Sequence, residues 1–217
     1  MALSPGLLAR GRLTIDQVEA RWSDTPYEPA GAASDAADAA IDALRDRGSP
    51  SHDGFSARLV ALEATPERLI LELEPIRWAL RLDHSDAAQS MAAMCAVRSS
   101  DGRWLAGRRA AWLATWSGRW ALGAGGAVES GENPAHTLER ELHEEWSVRP
   151  ERITVEALLC LPHRLVMLLG MAWLPEGAEV VPDAEHDEYA WWPVDVEQWP
   201  PEADEPLRAM ARLLDGS

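Results

Sequence analysis

The chain has 217 residues, a length that corresponds to one or two domains of about 150 residues each. Hydrophobic residues make up 47% and charged residues 26%, which excludes a fibrous or wholly disordered protein. The formal net charge of -16 disfavours nucleic acids and anionic membrane surfaces as partners, because long-range forces repel them.

The N-terminal segment, residues 1–33, contains Pro, Gly and Ala with little periodicity, and we expect it to be rich in loops. Residues 34–47 predict a helix, because apolar residues recur at helical spacing. Ser34 or Asp35 is expected to cap the N-terminus of this helix, and Gly48 is expected to end it.

Three short apolar runs follow this helix and have the pattern of strands, with Pro66 and Pro75 between them. Together with the helix they predict a small N-terminal α/β subdomain that ends near residue 86. The predicted strands cover residues 57–63, 68–74 and 76–82.

The pattern restarts after residue 86 and predicts a second unit over residues 87–217. It opens with a hairpin whose turn is the Ser-Ser-Asp-Gly sequence at 99–102. Strands combined with helices indicate the α/β or α+β class. The predicted elements are strands at 91–97, 103–108, 153–161 and 165–174, and a helix at 201–214.

The rarest residue types limit the chemistry and the compartment. The sequence contains no Lys, which excludes a Walker-A phosphate loop and a Schiff-base lysine. Cys95 and Cys160 lie in apolar runs, so we expect buried thiols rather than a disulfide or metal framework. The first residues do not form a signal peptide and no run is long enough to span a bilayer, so we expect a cytoplasmic protein.

The segment from residue 120 to 150 combines a glycine-rich loop with a helix. Glycines in the loop permit close approach of the backbone to a ligand. Asn133 is a good N-cap and Pro134 a good first helical residue, which predicts a helix that runs to about Trp146.

Three glutamates share one face of this predicted helix. Glu141, Glu144 and Glu145 are spaced i, i+3 and i+4, so we expect their carboxylates to converge. Converging like charges need a cation, and oxygen ligands favour Mg²⁺, Mn²⁺ or Ca²⁺. The adjacent face is apolar and is expected to pack on the sheet through Ala135, Leu138, Leu142 and Trp146.

Arg140 lies four residues before Glu144 and can pair with it, and Glu132 can pair with the same guanidinium. Such a pairing would orient the carboxylates around a cation. The alternative is a solvated acidic face that carries only surface ion pairs.

The same segment resembles the Nudix box, G-x5-E-x7-R-E-U-x-E-E-x-G-U, in which U is a bulky aliphatic residue. One position departs from it, because Ser147 stands where the family usually has Gly, and we expect an altered turn there. The matching residues are Gly126, Glu132, Arg140, Glu141, Leu142, Glu144, Glu145 and Val148.

The resemblance implies an α/β/α sandwich and hydrolysis of a diphosphate linked to another moiety. Carried over by position, Glu144 and Glu145 would bind Mg²⁺ together with the carbonyl of Gly126. Glu141 would be a third ligand or the catalytic base, and Arg140 would brace the carboxylates together with Glu132.

The N-terminal half is loosely similar to the Nudix UDP-glucose and UDP-galactose pyrophosphatases, which makes a UDP-sugar, cleaved to UMP and sugar phosphate, the leading substrate. The alternatives are ADP-ribose or another nucleotide sugar, or a Nudix protein that senses a nucleotide without turnover. The N-terminal subdomain is expected either to select the substrate or to form a homodimer.

A few residues outside the helix are further candidates. We expect Trp116 to stack on a base or sugar. Arg108 and Arg109 are candidates to contact phosphate, with the glycine loop at Gly125 and Gly126. Glu188 is a candidate for an additional base or metal ligand. Core packing for the tryptophan and surface charge for the others are the alternatives.

Overall fold

The computed structural model describes residues 3–49 and 53–216. The strands, in chain order, are β1 (Gly6–Leu13), β2 (Val18–Trp22), β3 (Phe55–Ala64), β4 (Leu69–Arg77), β5 (Met91–Arg98), β6 (Trp104–Arg109), β7 (Trp120–Leu122), β8 (Ala124–Ala127), β9 (Arg152–Cys160), β10 (Val166–Trp173) and β11 (His186–Trp192). The α-helices are α1 (Gly31–Asp46), α2 (Pro134–Trp146) and α3 (Glu205–Asp215), and short 3-10 helices span Ile15–Gln17, Trp78–Leu82 and Val196–Gln198.

The strands form two sheets. In the larger sheet the order is β1-β9-β10-β5-β6-β11, and β7 and β8 pair with β6 and β5. Its central pair, β5 and β10, is parallel, whereas β9 and β10 are antiparallel. The smaller sheet has the order β2-β4-β3.

Helices cover both faces of the larger sheet. On one face, α2 buries Leu138 and Leu142 in a core that also contains Leu59 and Leu71 of the smaller sheet. On the other face, α3 buries Leu207 and Leu214 against a tryptophan-rich core. Strands covered on both faces are continuous apolar runs, as β5 and β10 are. The predicted α/β/α sandwich is confirmed.

The prediction that residues 1–33 are rich in loops is wrong. β1 forms the edge of the larger sheet by antiparallel pairing with β9, and β2 pairs in parallel with β4. Their partners lie far along the chain, so local sequence carries no signal for them. The division at residue 86 stays a prediction, and β1 crosses it, because it belongs to the larger sheet.

Three further predictions in these regions need correction. The predicted strand at 76–82 is the end of β4 followed by a 3-10 helix, because β4 continues through Pro75. α1 begins at Gly31, before the proposed caps, and no side chain caps it. α3 begins at Glu205 rather than residue 201, because the Asp204 side chain accepts the N–H of Leu207.

The other predicted elements are present. The hairpin of β5 and β6, the strands β9 and β10, and α2 lie where the patterns placed them. Cys95 and Cys160 are buried free thiols, as expected. Within the part of the chain that the structure describes, no helix combines the length and the apolar character needed to cross a lipid bilayer.

Candidate functional site

The N-terminus of α2 is fixed by contacts to two parts of the chain. Asn133 accepts the N–H of Ala135 at 3.0 Å, which caps the helix, and donates its amide to the carbonyl of Val18 at 2.8 Å. The indole of Trp22 donates to the carbonyl of Glu132 at 3.1 Å. β2 therefore holds the start of α2 in place.

The loop before α2 passes directly over two glutamates of the helix. Glu145 accepts the N–H of Gly125 at 2.9 Å. Any side chain at Gly126 would collide with the carboxylate of Glu141. The absence of a side chain at position 126 therefore lets the Glu141 carboxylate keep its place. It also leaves the backbone of the loop next to that carboxylate.

Glu141 and Glu145 are both buried. Burial raises the pKa of Glu141 to about 7. The charge of Arg140 opposes this rise, and repulsion from Glu144 adds to it. Burial also raises the pKa of Glu145 well above its ordinary value, although the N–H of Gly125 opposes this. Repulsion from Glu141 adds to the rise in the pKa of Glu145.

Arg140 connects the acidic residues of this helix. Its guanidinium meets both carboxylate oxygens of Glu132, at 3.0 and 3.2 Å, and donates to the carbonyl of Ala127 at 3.1 Å. It also pairs with Glu141 at 2.8 Å and with Glu144 at 2.9 Å. Burial opposes the charge of Arg140, but the hydrogen bonds and charges of these glutamates raise its pKa. The predicted bracing role therefore has the necessary contacts.

Glu144 is more exposed than the other two glutamates, and the convergence of all three carboxylates on a cation stays a prediction. The Glu144 side chain is 54% exposed and is held by Arg140, while Glu141 and Glu145 are buried together. Among residues 3–49 and 53–216, no group of three or more His, Cys, Asp or Glu side chains is assembled for a metal ion. The spacing i, i+3 places Glu144 on the same face, but its long side chain is free to turn toward the arginine.

The paired carboxylates nevertheless suit a hard divalent cation. The Oε2 atom of Glu145 is buried and accepts no hydrogen bond from the described residues. A buried carboxylate oxygen without a partner is costly, and a cation would satisfy it. Glu141, Glu145 and the backbone at Gly126 offer oxygen atoms only, which Mg²⁺ and Mn²⁺ prefer. A rotation of Glu144 away from Arg140 would add a further ligand.

A cavity of about 460 Å³ opens beside Glu141. One wall consists of Arg140, Glu141 and the loop at 127–130, and the opposite wall comes from the N-terminal half of the chain. Trp78 and Phe55 supply aromatic surface to that wall, and Phe55 is exposed to solvent. This volume lies in the range of sites for small ligands.

The N-terminal wall is joined to the loop by main-chain hydrogen bonds. Ala57 donates to the carbonyl of Val128 at 2.8 Å, and Ser130 donates to the carbonyl of Phe55 at 3.3 Å. β3 therefore runs beside the loop that follows Gly126, and main-chain hydrogen bonds join the two walls of the cavity.

Three predicted site residues lie elsewhere. Arg108 and Glu188 face each other on β6 and β11 with 3.5 Å between guanidinium and carboxylate. Trp116 is exposed, and the guanidinium carbon of Arg119 lies 4.8 Å from the centre of the Trp116 ring. None of the three lines the cavity.

His186 was missed as a site residue. Its buried Nε2 lies 3.5 Å from the unpartnered Oε2 of Glu145, and its Nδ1 lies 3.4 Å from Asp183. Burial lowers the pKa of His186, so the ring is neutral. The sequence offered a signal, because His186 opens the same His-Asp-Glu-Tyr run from which Glu188 was chosen.

The charges of two arginines interact with those of the paired carboxyl groups. Arg109 at the end of β6 lies 3.5 Å from Glu185, and its charge opposes the rise in the pKa of Glu145. Arg81 lies in the 3-10 helix after β4, and its charge interacts with that of Glu141. Arg109 was a candidate from the sequence together with Arg108, but no pattern in the sequence pointed to Arg81.

A family model matches the second half of the chain. The family model described as NUDIX domain matches residues 88–214. No curated protein sequence matches the chain.

Several solved structures resemble a part of this chain. A MutT protein from Methanosarcina mazei Go1 is 23% identical, with 58% of this chain and 93% of that chain covered and a TM-score of 0.45. The NUDIX domain of NrtR from Shewanella oneidensis, complexed with ADP ribose, is 19% identical over 64% and 97%, with a TM-score of 0.48. An Ap4A hydrolase from C. elegans is 17% identical over 58% and 96%, with a TM-score of 0.45. These similarities carry no information on the substrate of this chain.

Proposed function

Because the chain belongs to the Nudix family, whose domain occupies residues 88–214, we propose that it hydrolyses the diphosphate of a small nucleoside diphosphate derivative with Mg²⁺. Family membership makes the chain a hydrolase that acts on phosphorus anhydrides. The proposal adds the metal, the residue roles and the substrate class.

The observation that carries the proposal is the buried pair of Glu141 and Glu145 beneath the glycine loop. A bound divalent cation would neutralise the diphosphate and lower the pKa of a water molecule. Glu145, with its unpartnered oxygen, would hold that cation together with the carbonyl of Gly126 and with Glu144 once it turns from Arg140. The ion pair between Arg140 and Glu132 would hold these ligands in position.

We assign the final proton transfer to Glu141, because its carboxylate lines the cavity where a substrate would lie. Water oxygen attacks one phosphorus atom, the bond from that phosphorus to the bridging oxygen breaks, and the other phosphate leaves with the electron pair. The proton of the water passes to Glu141. Two phosphate monoesters result. Glu188 on β11, the other candidate for the base, pairs with Arg108 on β6 and does not line this cavity.

A UDP-sugar is the leading substrate within this proposal, and ADP-ribose or another nucleotide sugar is the alternative. The support is the loose resemblance of the N-terminal sequence to UDP-sugar pyrophosphatases, together with the aromatic surface of Trp78 and Phe55 in the cavity, which suits a nucleobase. The net charge of -16 argues for a small substrate rather than nucleic acid or a membrane. A cytoplasmic location and a homodimer belong to the same proposal.

The test is Mg²⁺-dependent product release from UDP-glucose, ADP-ribose, dinucleoside polyphosphates, NADH, CoA and nucleoside triphosphates. Wild-type protein is compared with Glu145→Gln and with Glu139→Gln, which changes an exposed glutamate of the same helix. We expect UMP and glucose 1-phosphate, with turnover lost in Glu145→Gln and kept in Glu139→Gln.

Two results would overturn parts of the proposal. Turnover of ADP-ribose without UDP-glucose would contradict the UDP-sugar assignment and leave the hydrolase. If no compound is hydrolysed while a nucleotide raises the thermal stability, the chain is a nucleotide sensor.

A further inference from the structure

Two buried polar atoms face each other without a hydrogen-bond partner among the described residues. They are Oε2 of Glu145 and Nε2 of His186, which lie 3.5 Å apart on side chains that are 4% and 0% exposed. The other oxygen of Glu145 accepts the N–H of Gly125 at 2.9 Å, so the orientation of this carboxylate is fixed. Two unpartnered buried atoms are costly for the fold unless something binds between them.

The imidazole ring of His186 is held in place by its neighbours. It packs on the indole of Trp146 with 4.2 Å between the ring centres. Gly107 of β6 adjoins the ring so closely that a Cβ atom there would lie 2.3 Å from Cδ2 of His186. The segment before His186 is attached to α2, because the main-chain N–H of Asp183 donates to the carbonyl of Glu145 at 2.9 Å. The ring therefore has little room to turn away from Glu145.

Asp183 determines which nitrogen of the ring carries the proton. Nδ1 of His186 lies 3.4 Å from Oδ1 of Asp183, and a carboxylate oxygen accepts a hydrogen bond, so Nδ1 is the donor and Nε2 keeps a lone pair. This lone pair faces an oxygen of Glu145, and the two atoms repel each other unless a proton or a metal ion lies between them. A metal-ligating histidine commonly donates its other N–H to a carboxylate in this way.

The separation of the two atoms fits a shared metal ion. Two ligands at about 2.1 Å from one metal ion are about 3.0 to 3.5 Å apart when the angle between them is about 90° to 110°. We propose that His186 is a nitrogen ligand of the cation bound by Glu145, so that the site prefers Mn²⁺ or Co²⁺ to Mg²⁺. The inference rests on the proposed function and deepens it. Imidazole nitrogen suits transition-metal ions, whereas Mg²⁺ favours oxygen and can still bind through the carboxylates.

Electron spin echo envelope modulation tests this ligand directly, because a nitrogen atom bound to Mn²⁺ modulates the echo of its unpaired electrons. The full-length wild-type protein is loaded with less Mn²⁺ than protein in about 0.1 M salt, which screens weak attraction to the acidic surface. We expect nitrogen modulation whose frequencies change when the histidines are labelled with ¹⁵N. His186→Asn should lose this signal. His143→Gln, at an exposed histidine of α2, is the matched control and should keep it.

The affinities for Mn²⁺ and Mg²⁺ separate a ligand from a structural residue. His186→Asn keeps a polar group near Asp183 but removes the ligand atom, so Mn²⁺ binding should weaken by about tenfold or more. Mg²⁺ binding should change less, because Mg²⁺ favours oxygen ligands and keeps several of its water molecules. A structural defect would weaken the binding of both metals alike. If the variant does not fold, the ¹⁵N-labelled wild-type spectrum decides alone.

The inference is overturned if Mn²⁺ bound to the wild-type protein shows no histidine nitrogen, as expected when only a proton lies between Glu145 and His186. It is also overturned if folded His186→Asn keeps the nitrogen signal or loses affinity for both metals equally, or if Mn²⁺ does not bind. The proposed function fails separately. A histidine signal without hydrolysis of any compound in the panel contradicts the hydrolase reaction and keeps the nitrogen ligand, and hydrolysis without the signal does the opposite.

Discussion

Gly126 lies against the carboxylate of Glu141 so closely that a side chain at this position would displace that carboxylate. The residues around it combine interactions that are unfavourable for stability alone: two buried carboxyl groups side by side and an unpartnered oxygen on Glu145. Such groups mark a site built for a ligand, because a fold without function would avoid them.

Gly126→Ala should abolish hydrolysis with little change in secondary structure, since the new methyl group displaces the Glu141 carboxylate. Gly11→Ala is the matched control, because a methyl group at Gly11 in β1 meets no other atom. Steady-state turnover and circular dichroism of both variants check this. Full activity of Gly126→Ala would show that the position of Glu141 is unimportant.

Ser147 ends α2 in the left-handed conformation, with φ of 54°. The turn therefore keeps the conformation that glycine favours, although serine adopts it at a cost. Ser147→Gly should raise the free energy of unfolding by about 1 kcal/mol. Urea unfolding measures it, and a decrease in stability would contradict this reading of the turn.

Residues whose roles follow from local spacing could be predicted, and residues brought in from elsewhere could not. Glu141 and Glu145 were identified because both lie on one helix at a fixed angle. His186 lies beside Glu145 from β11, and only the tertiary structure brings it there.

At the scale of elements, α2 is connected to β2 by its first turn. Asn133 both caps the helix and donates to the carbonyl of Val18, and Trp22 donates to Glu132. The cap was predictable because it is a local signal. The pairing of β2 with β4 was not, because strand pairing depends on partners about fifty residues away.

Asn133→Ala should lower the free energy of unfolding by about 2 kcal/mol, about 1 from the lost cap and about 1 from the lost hydrogen bond to Val18. Asn133→Ser keeps a capping oxygen but is too short to reach Val18, so about half of the loss is expected. Denaturant unfolding of the two variants measures both steps. Equal stability of Asn133→Ala and wild type would argue against the connection.

For the whole molecule, the two sheets share one hydrophobic core. Leu59 and Leu71 of the smaller sheet pack in the same cluster as Leu138 and Leu142 of α2. β1 completes the edge of the larger sheet by pairing with β9. The sequence suggested two units because the apolar pattern restarts near residue 86, but such a pattern does not reveal which cores merge.

Unfolding should therefore follow a single cooperative transition. Tryptophan fluorescence and far-ultraviolet circular dichroism should give coincident denaturant curves, because the halves cannot lose their shared core separately. Two separated transitions would contradict the shared core and support independent units that meet near residue 86.

The central claim is that Glu145 holds a divalent cation beside Glu141, and Mn²⁺ binding tests it without knowledge of the substrate. The free Mn²⁺ signal is followed by electron paramagnetic resonance in about 0.1 M salt, which screens weak attraction to the acidic surface. Wild type and Glu139→Gln should bind alike, and Glu145→Gln about tenfold or more weakly. Equal binding by Glu145→Gln and wild type would contradict the account.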